Sequence, residues 1–144
     1  VFEKVVVTYN GSEQAERALL TAIRLSRTVQ AELHAVHVVG HAPAYTAYAA
    51  AVSPAVPEIL HQDRKALADA LLDKARTTAQ DHGIKLFGHQ IEGSEAASIL
   101  DFLRTYKADL LVVGLHPRDM YISRLWSTLY TLAQDSPCSV LGVH

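Results

Sequence analysis

The sequence predicts an α/β fold, an open five-stranded parallel sheet with helices on both faces. Two observations lead there: five short apolar or β-branched runs that mostly end at glycine, and helix-patterned stretches lying between them. A third is the continuity of those runs. Uninterrupted apolar segments bounded by glycine suit strands covered on both faces, which is the situation in a parallel sheet.

The first strand is Val5-Val6-Val7-Thr8-Tyr9, stopped by Asn10-Gly11. A helix follows from Glu13 to Val29, where Ala15, Ala18, Leu19, Ala22, Ile23 and Leu25 recur at three- and four-residue spacing. Ser12 is placed to cap it, and Glu13 and Glu16 suit the positive end of its dipole. Leu33 to Val39 is the second strand, ended by Gly40. His41 to Ala55, rich in Ala, Pro and Tyr, is assigned as a connection with a helical turn around Ala47 to Ala51. The second helix spans Pro57 to His82, with proline in its first turn and His82-Gly83 as a stop signal. Ile84 to Ile91 is more polar and alternates only loosely, the pattern of an edge strand. A third helix spans Glu95 to Lys107, capped by Ser94, with Ala96, Ile99, Leu100 and Leu103 on its apolar face. Leu110 to Val113 ends at Gly114, a fourth helix runs from Ser123 to Gln134, and Val140 to Val143 forms the last strand. The β-α-β-α-β-α-β-α-β order predicts a doubly wound sheet with right-handed crossovers, in one domain over residues 1–144.

Composition removes several function classes. A chain of 144 residues with 49% hydrophobic and 19% charged residues can bury a core and does not match disordered sequence. A formal net charge of −2 supplies no bulk attraction to nucleic acid or an acidic membrane, so neither is expected as a partner. The single cysteine, Cys138, cannot form an intrachain disulfide and suits a reducing compartment. The opening run Val1 to Val7 is too short and too charged for a signal peptide, and the longest apolar stretch falls far short of the ~20 residues that span a bilayer. A cytoplasmic location is the expectation.

In an open parallel sheet the ligand crevice lies beyond the carboxyl ends of the strands, where strand order reverses. Those ends carry Asn10-Gly11-Ser12, Val39-Gly40, Glu92-Gly93-Ser94 and Gly114-Leu115-His116-Pro117-Arg118. Two lead directly into helix N-termini, whose unpaired N–H groups favour anions. The stretch from Gly114 to Leu125 adds His116, Arg118 and Arg124, with Ser123, Ser127 and Thr128 near the next helix start. This collection suits a phosphate and equally suits a polar loop over a sheet.

Other signals take simpler readings. The eight histidines show no compact ligand spacing, and His34 and His37 have opposite parity on one strand, so they are read as scattered surface or loop residues. Cys138 is read as a small buried apolar residue. No G-x-S-x-G elbow or ordered Ser/His/Asp set supports a hydrolase, and Gly93-Ser94-Glu95 is a strand-to-helix turn. Arg64, Lys65, Lys74 and Arg76 lie among acids on the second helix, as on a solvated face.

Four segments then carry a resemblance. Val6-Val7-Thr8-Tyr9-Asn10-Gly11-Ser12-Glu13 resembles the first-strand motif of universal stress proteins, in which Asp usually precedes Gly-Ser. Ala31 to Val39 is similar to their second strand, Ala108 to Gly114 to the fourth, and Pro137 to Val143 to the last, in register along the whole chain. The resemblance implies the strand order 3-2-1-4-5 of the adenine nucleotide alpha hydrolase-like fold. It also implies a homodimer paired through the final strand, at Val140, Leu141 and Val143, which would protect an edge.

ATP-binding members carry a glycine after strand four, two residues, a second glycine, nine residues, and a Gly-Ser or Gly-Thr pair, so that backbone approaches phosphate closely. Here Gly114 fills the first position, but Pro117 occupies the second; strict spacing puts Ser127-Thr128 at the last pair and counting back from Pro137 puts Trp126-Ser127 there, and the glycine is absent either way. Asn10 replaces the nucleoside-contacting Asp. The positions carried over from the family's nucleotide site are Thr8, Asn10, Val38, Val113, Gly114, Pro117, Ser127, Thr128 and Leu129, with no catalytic or metal residue. The resemblance therefore implies a non-catalytic, homodimeric stress-response protein acting through an unidentified protein partner, with no required cofactor and no strong ATP binding. The alternative is a member that binds ATP or AMP with at most slow hydrolysis. A phosphate-transfer enzyme of related fold would need a Walker lysine or an acidic metal cluster after a strand, and neither is present.

Overall fold

Val5, Val6 and Val7 are fully buried at the centre of a parallel sheet, because both faces of their strand are covered. The computed structural model describes residues 1–40, 56–115 and 130–144. Among them are five strands, β1 (Lys4–Thr8), β2 (Glu32–Val39), β3 (Leu86–Glu92), β4 (Leu110–Gly114) and β5 (Ser139–Val143). Their order in space is β3-β2-β1-β4-β5, with every neighbouring pair parallel. Register is set by the apolar runs: Val5, Val6 and Val7 stand beside Leu33, His34 and Ala35 on one side and Leu110, Leu111 and Val112 on the other.

Three long helices cross the sheet, α1 (Glu13–Val29), α2 (Val56–Asp81) and α3 (Glu95–Thr105), and residues 130–135 are helical. Parity sorts the strand side chains between two layers. Val5, Val7, Leu33, Ala35 and Val112 pack on Leu19, Ala22 and Ile23 of α1 and on Leu72, Ala75 and Ala79 of α2. Val6, Val36, Leu111 and Val113 pack on Ile99, Leu100 and Leu103 of α3, together with Leu132. Helix α1 starts where its sequence directs: Ser12 Oγ accepts a hydrogen bond from the Ala15 N–H, and Gln30 in the left-handed region closes the other end.

The structure departs from the sequence reading at several places. Ser94 precedes α3 with an extended backbone but makes no side-chain cap bond. That helix stops at Thr105, short of Lys107, because Lys107 adopts a left-handed φ of 52°. Strand β5, by contrast, lies at the edge that the resemblance implies, with Val140 and Val143 half-buried and Ser139, Leu141 and Gly142 exposed. Cys138 is half-buried, beside Ser136 Oγ at 3.4 Å, and not sealed in the core. His34 is only 6% exposed and bonds His89, so the histidines are not uniformly surface or loop residues. The assigned connection His41 to Ala55 and the start of the fourth helix lie outside the described residues.

Candidate functional site

Strand order reverses between β1 and β4: β2 and β3 lie to one side, β5 to the other. At the carboxyl ends of these strands opens a crevice of about 510 Å³. Thr8, Tyr9 and Asn10 form its floor, and Ser12, Gln14 and Ala15 bring in the first turn of α1. Val36, His37 and Val38 contribute the end of β2 and Gly40 the residue after it, Gly93 and Glu95 the turn into α3, and Gly114 the end of β4.

Local chemistry holds each part in place. Asn10 Oδ1 accepts from the Ser12 N–H at 3.1 Å and from Ser12 Oγ at 2.6 Å, while Ser12 Oγ accepts from the Ala15 N–H at 3.3 Å. A backbone N–H can only donate, so the orientation of the Asn10 amide is fixed with its oxygen turned to the helix start. Its Nδ2 is left as the side chain's donor group. An aspartate here would instead keep a second oxygen able to accept from a ribose hydroxyl.

Tyr9 ties the floor to both neighbouring helices. Its N–H donates to the Val36 carbonyl at 2.9 Å, and its own carbonyl accepts from His37 Nδ1–H at 2.9 Å. The phenol is 1% exposed and donates to the Glu16 carboxylate, which pairs with Lys74 Nζ of α2 at 2.9 Å. Burial, reinforced by the Glu16 hydrogen bond and charge, holds the Tyr9 phenol far above its usual range, so it remains protonated.

Gly114 is where the sheet and α1 come closest. A Cβ at this position would stand 2.4 Å from the Gln14 carbonyl oxygen and 2.6 Å from its carbon, both backbone atoms that cannot swing aside. Gly114 is therefore required by the packing of β4 under the first turn of α1, whatever the crevice holds. Of the positions taken from the sequence, Thr8, Asn10, Val38 and Gly114 border the crevice. Val113 is instead buried in the α3 layer. Pro117, Ser127, Thr128 and Leu129 lie outside the described residues, as do His116, Arg118 and Arg124. Among the described lining residues there is no lysine or arginine, and Glu95 adds a negative charge. Also among the described residues, no three His, Cys, Asp or Glu side chains converge as a metal site, and no helix is long and apolar enough to cross a membrane.

The model of the universal stress protein family matches residues 2–144. The chain belongs to the universal stress protein family. A universal stress protein of Methanocaldococcus jannaschii is 28% identical over 114 residues, which span 79% of this chain and 65% of that relative, just under two thirds of its length. One from Bacillus subtilis is 26% identical over the whole of both chains. Among solved structures, a universal stress protein from Burkholderia pseudomallei superposes with a TM-score of 0.76 at 25% identity, covering 99% of this chain and 96% of its own. One solved in complex with cAMP superposes with a TM-score of 0.73 at 22% identity, over 99% of this chain and 97% of its own. An Arabidopsis thaliana member solved with AMP bound reaches 0.70 at 18% identity, over 98% and 90%. At these identities the last two show a shared fold.

In this universal stress protein, two contacts that frame the crevice have no counterpart in the strand-end motifs. In sequence Tyr9 marks only the end of a strand; its bond to Glu16 is a contact between residues seven apart across a strand-to-helix turn. The family motif makes Gly114 a phosphate-facing glycine. Its contact with Gln14, a hundred residues away in sequence, had no local signal.

Proposed function

We propose that this universal stress protein is a non-catalytic, homodimeric regulator whose crevice takes an adenine mononucleotide and does not hold ATP strongly. The observation that carries this reading is the charge and hydrogen-bonding character of the described crevice wall. Its volume of about 510 Å³ falls in the range of small-molecule sites. It offers the Asn10 amide, the Thr8 hydroxyl and the backbone at the end of β2 as hydrogen-bonding groups. It has no described cation to meet a triphosphate, and Glu95 opposes one. The loss of two glycines from the family's phosphate motif, at Pro117 and Ser127, points the same way. So do relatives of the same fold solved with cAMP, AMP and dAMP.

Regulation would then pass through protein contacts. The exposed edge of β5 suits pairing with a second copy through Val140, Leu141 and Val143, and the crevice ligand would bias that assembly toward a protein partner. Titration calorimetry on nucleotide-stripped protein tests the ligand class. AMP or cAMP should bind with micromolar affinity and magnesium-ATP at least about tenfold more weakly, a difference of about 1.4 kcal/mol. Equal or tighter ATP binding would overturn the charge argument. No binding of any adenine nucleotide would leave a protein-contact module alone.

A further inference from the structure

A second cluster of functional groups lies away from the crevice, on the α3 face of the β2–β3 edge. His34 Nδ1 and His89 Nε2 are 2.9 Å apart, although the residues are 55 positions apart in sequence. The ring centroids are 5.2 Å apart and the planes differ by 16°, so the imidazoles meet edge to edge and share one hydrogen. Aromatic rings enclose them. Phe87 lies 5.0 Å from His34, Phe102 lies 4.8 Å from His89, and Tyr106 lies 5.0 Å from His89.

The buried environment decides who donates. His34 Nε2 is buried with no hydrogen-bond partner. An orphaned buried N–H is rarer in folded proteins than an under-satisfied acceptor, which favours the tautomer with His34 Nε2 bare. The hydrogen of His34 therefore sits on Nδ1 and donates to His89 Nε2, and His89 carries its own on Nδ1. Both rings are neutral in this arrangement. A proton arriving at His34 Nε2 finds no acceptor, and one arriving at His89 Nε2 meets the hydrogen already there.

We propose that the His34–His89 pair is an acid-sensitive latch: a proton on His34 Nε2 is buried without an acceptor and one on His89 Nε2 displaces the shared hydrogen bond, so acid loosens β3 and the last turn of α3 and uncovers Phe87 and Phe102. The charged groups on the neighbouring elements do not rescue the protonated pair. Lys4 of β1 and Arg76 of α2 oppose a positive charge there, and Lys85 at the start of β3 lies over Phe87 at 4.8 Å. Glu32 of β2 favours protonation of His34 but makes no hydrogen bond to the ring, and on α3 Asp101 and Arg104 pair with each other at 3.3 Å.

Burial pushes both imidazoles below the ordinary histidine range; Glu32 partly offsets this and Lys4 adds to it at His34, while His34 and Arg76 add to it at His89. The sign follows from proton linkage. The unfolded chain binds these protons more readily, so the contribution to stability is full above the free imidazole pKa of about 6.5 and is lost as pH falls through the folded values. This latch is independent of what the crevice binds.

Hydrogen exchange on the full chain, corrected for intrinsic rates, tests it between pH 7.5 and pH 5. Peptides covering β3 and the end of α3 should lose protection about tenfold more than those covering β4. The double variant His34→Phe/His89→Phe, which keeps both rings but has neither imidazole to protonate, should abolish that difference. Uniform behaviour of the wild type, or an unchanged acid response in the double variant, would overturn the proposal. Should that variant fail to fold, imidazole nitrogen NMR of the wild type decides. The expected result is a neutral Nδ1–H tautomer at both rings that protonates together with the loss of β3 protection. Protonation of either ring at pH 7.5, or titration without any change in exchange, would refute it.

Discussion

At Gly114 a single hydrogen atom in place of a methyl group lets the last residue of β4 lie under the Gln14 carbonyl, with the hypothetical Cβ only 2.4 Å from that oxygen. The neighbour is backbone at the first turn of α1, next to the Ser12 cap, so relief requires a shift of the helix start. Overpacking of this kind costs about 1–3 kcal/mol. Gly114→Ala should therefore lower the urea midpoint of unfolding by a corresponding amount even when nucleotide is absent. A variant as stable as the parent would remove the packing role and return this glycine to the ligand alone. Asn10 shows the same economy of position. Its oxygen is committed to Ser12, so the residue that in relatives of this motif is usually acidic serves here first as a turn former.

Between elements, Tyr9 is the join. Strand β1 ends on its backbone bonds to β2, and its phenol reaches Glu16 on α1, itself paired with Lys74 on α2. The Lys74–Glu16 pair is largely exposed and adds little by itself. Removal of the phenol hydroxyl in Tyr9→Phe should cost about 1 kcal/mol, because Glu16 can be rehydrated while the ring stays packed. The accompanying sign is faster amide exchange in the first two turns of α1, measured against α3 as an internal control; a global loss spread evenly over both helices would contradict the local role. Such joins explain which parts of the fold were readable in the sequence. The runs at Val5 to Tyr9, Leu33 to Val39 and Leu110 to Gly114 announce their strands because burial on both faces favours apolar residues at successive positions, with Thr8, His34 and His37 as the polar interruptions. Ser12 announces α1 because a cap is a contact between near neighbours. The His34–His89 pair and the Gly114–Gln14 approach are contacts between distant elements, set by register and crossover geometry, and no local pattern encodes them. The family motif places Val113 at the crevice, but strand parity turns its side chain into the α3 layer.

For the whole molecule, the two sheet edges differ in how they are protected. On the β3 side, Arg76 of α2 lies over Gly88, close enough that a Cβ there would meet its guanidinium at 2.6 Å. A charged side chain held across an edge strand discourages further strand addition. On the β5 side the strand pairs with β4 through all five of its residues, from Ser139 beside Leu110 to Val143 beside Gly114. Its other side has no neighbour among the described residues, and Leu141 is 37% exposed. Under the proposed dimer, pairing this edge with a second copy would bury Leu141 and satisfy the edge backbone at once. Leu141→Lys keeps strand length and register while placing a charge, in both copies, where the two-fold contact would form. Light scattering coupled to size exclusion should show a dimer for the parent chain and a monomer for the variant, with an unchanged far-ultraviolet circular dichroism spectrum. A parent chain that is already monomeric, or a variant that stays dimeric with the same mass, would place the assembly surface elsewhere. A variant that dissociates while binding AMP as the parent does would separate the assembly surface from the crevice. Dissociation accompanied by loss of AMP binding would couple the two through β4, which carries Gly114 at the crevice and pairs with β5 along its length.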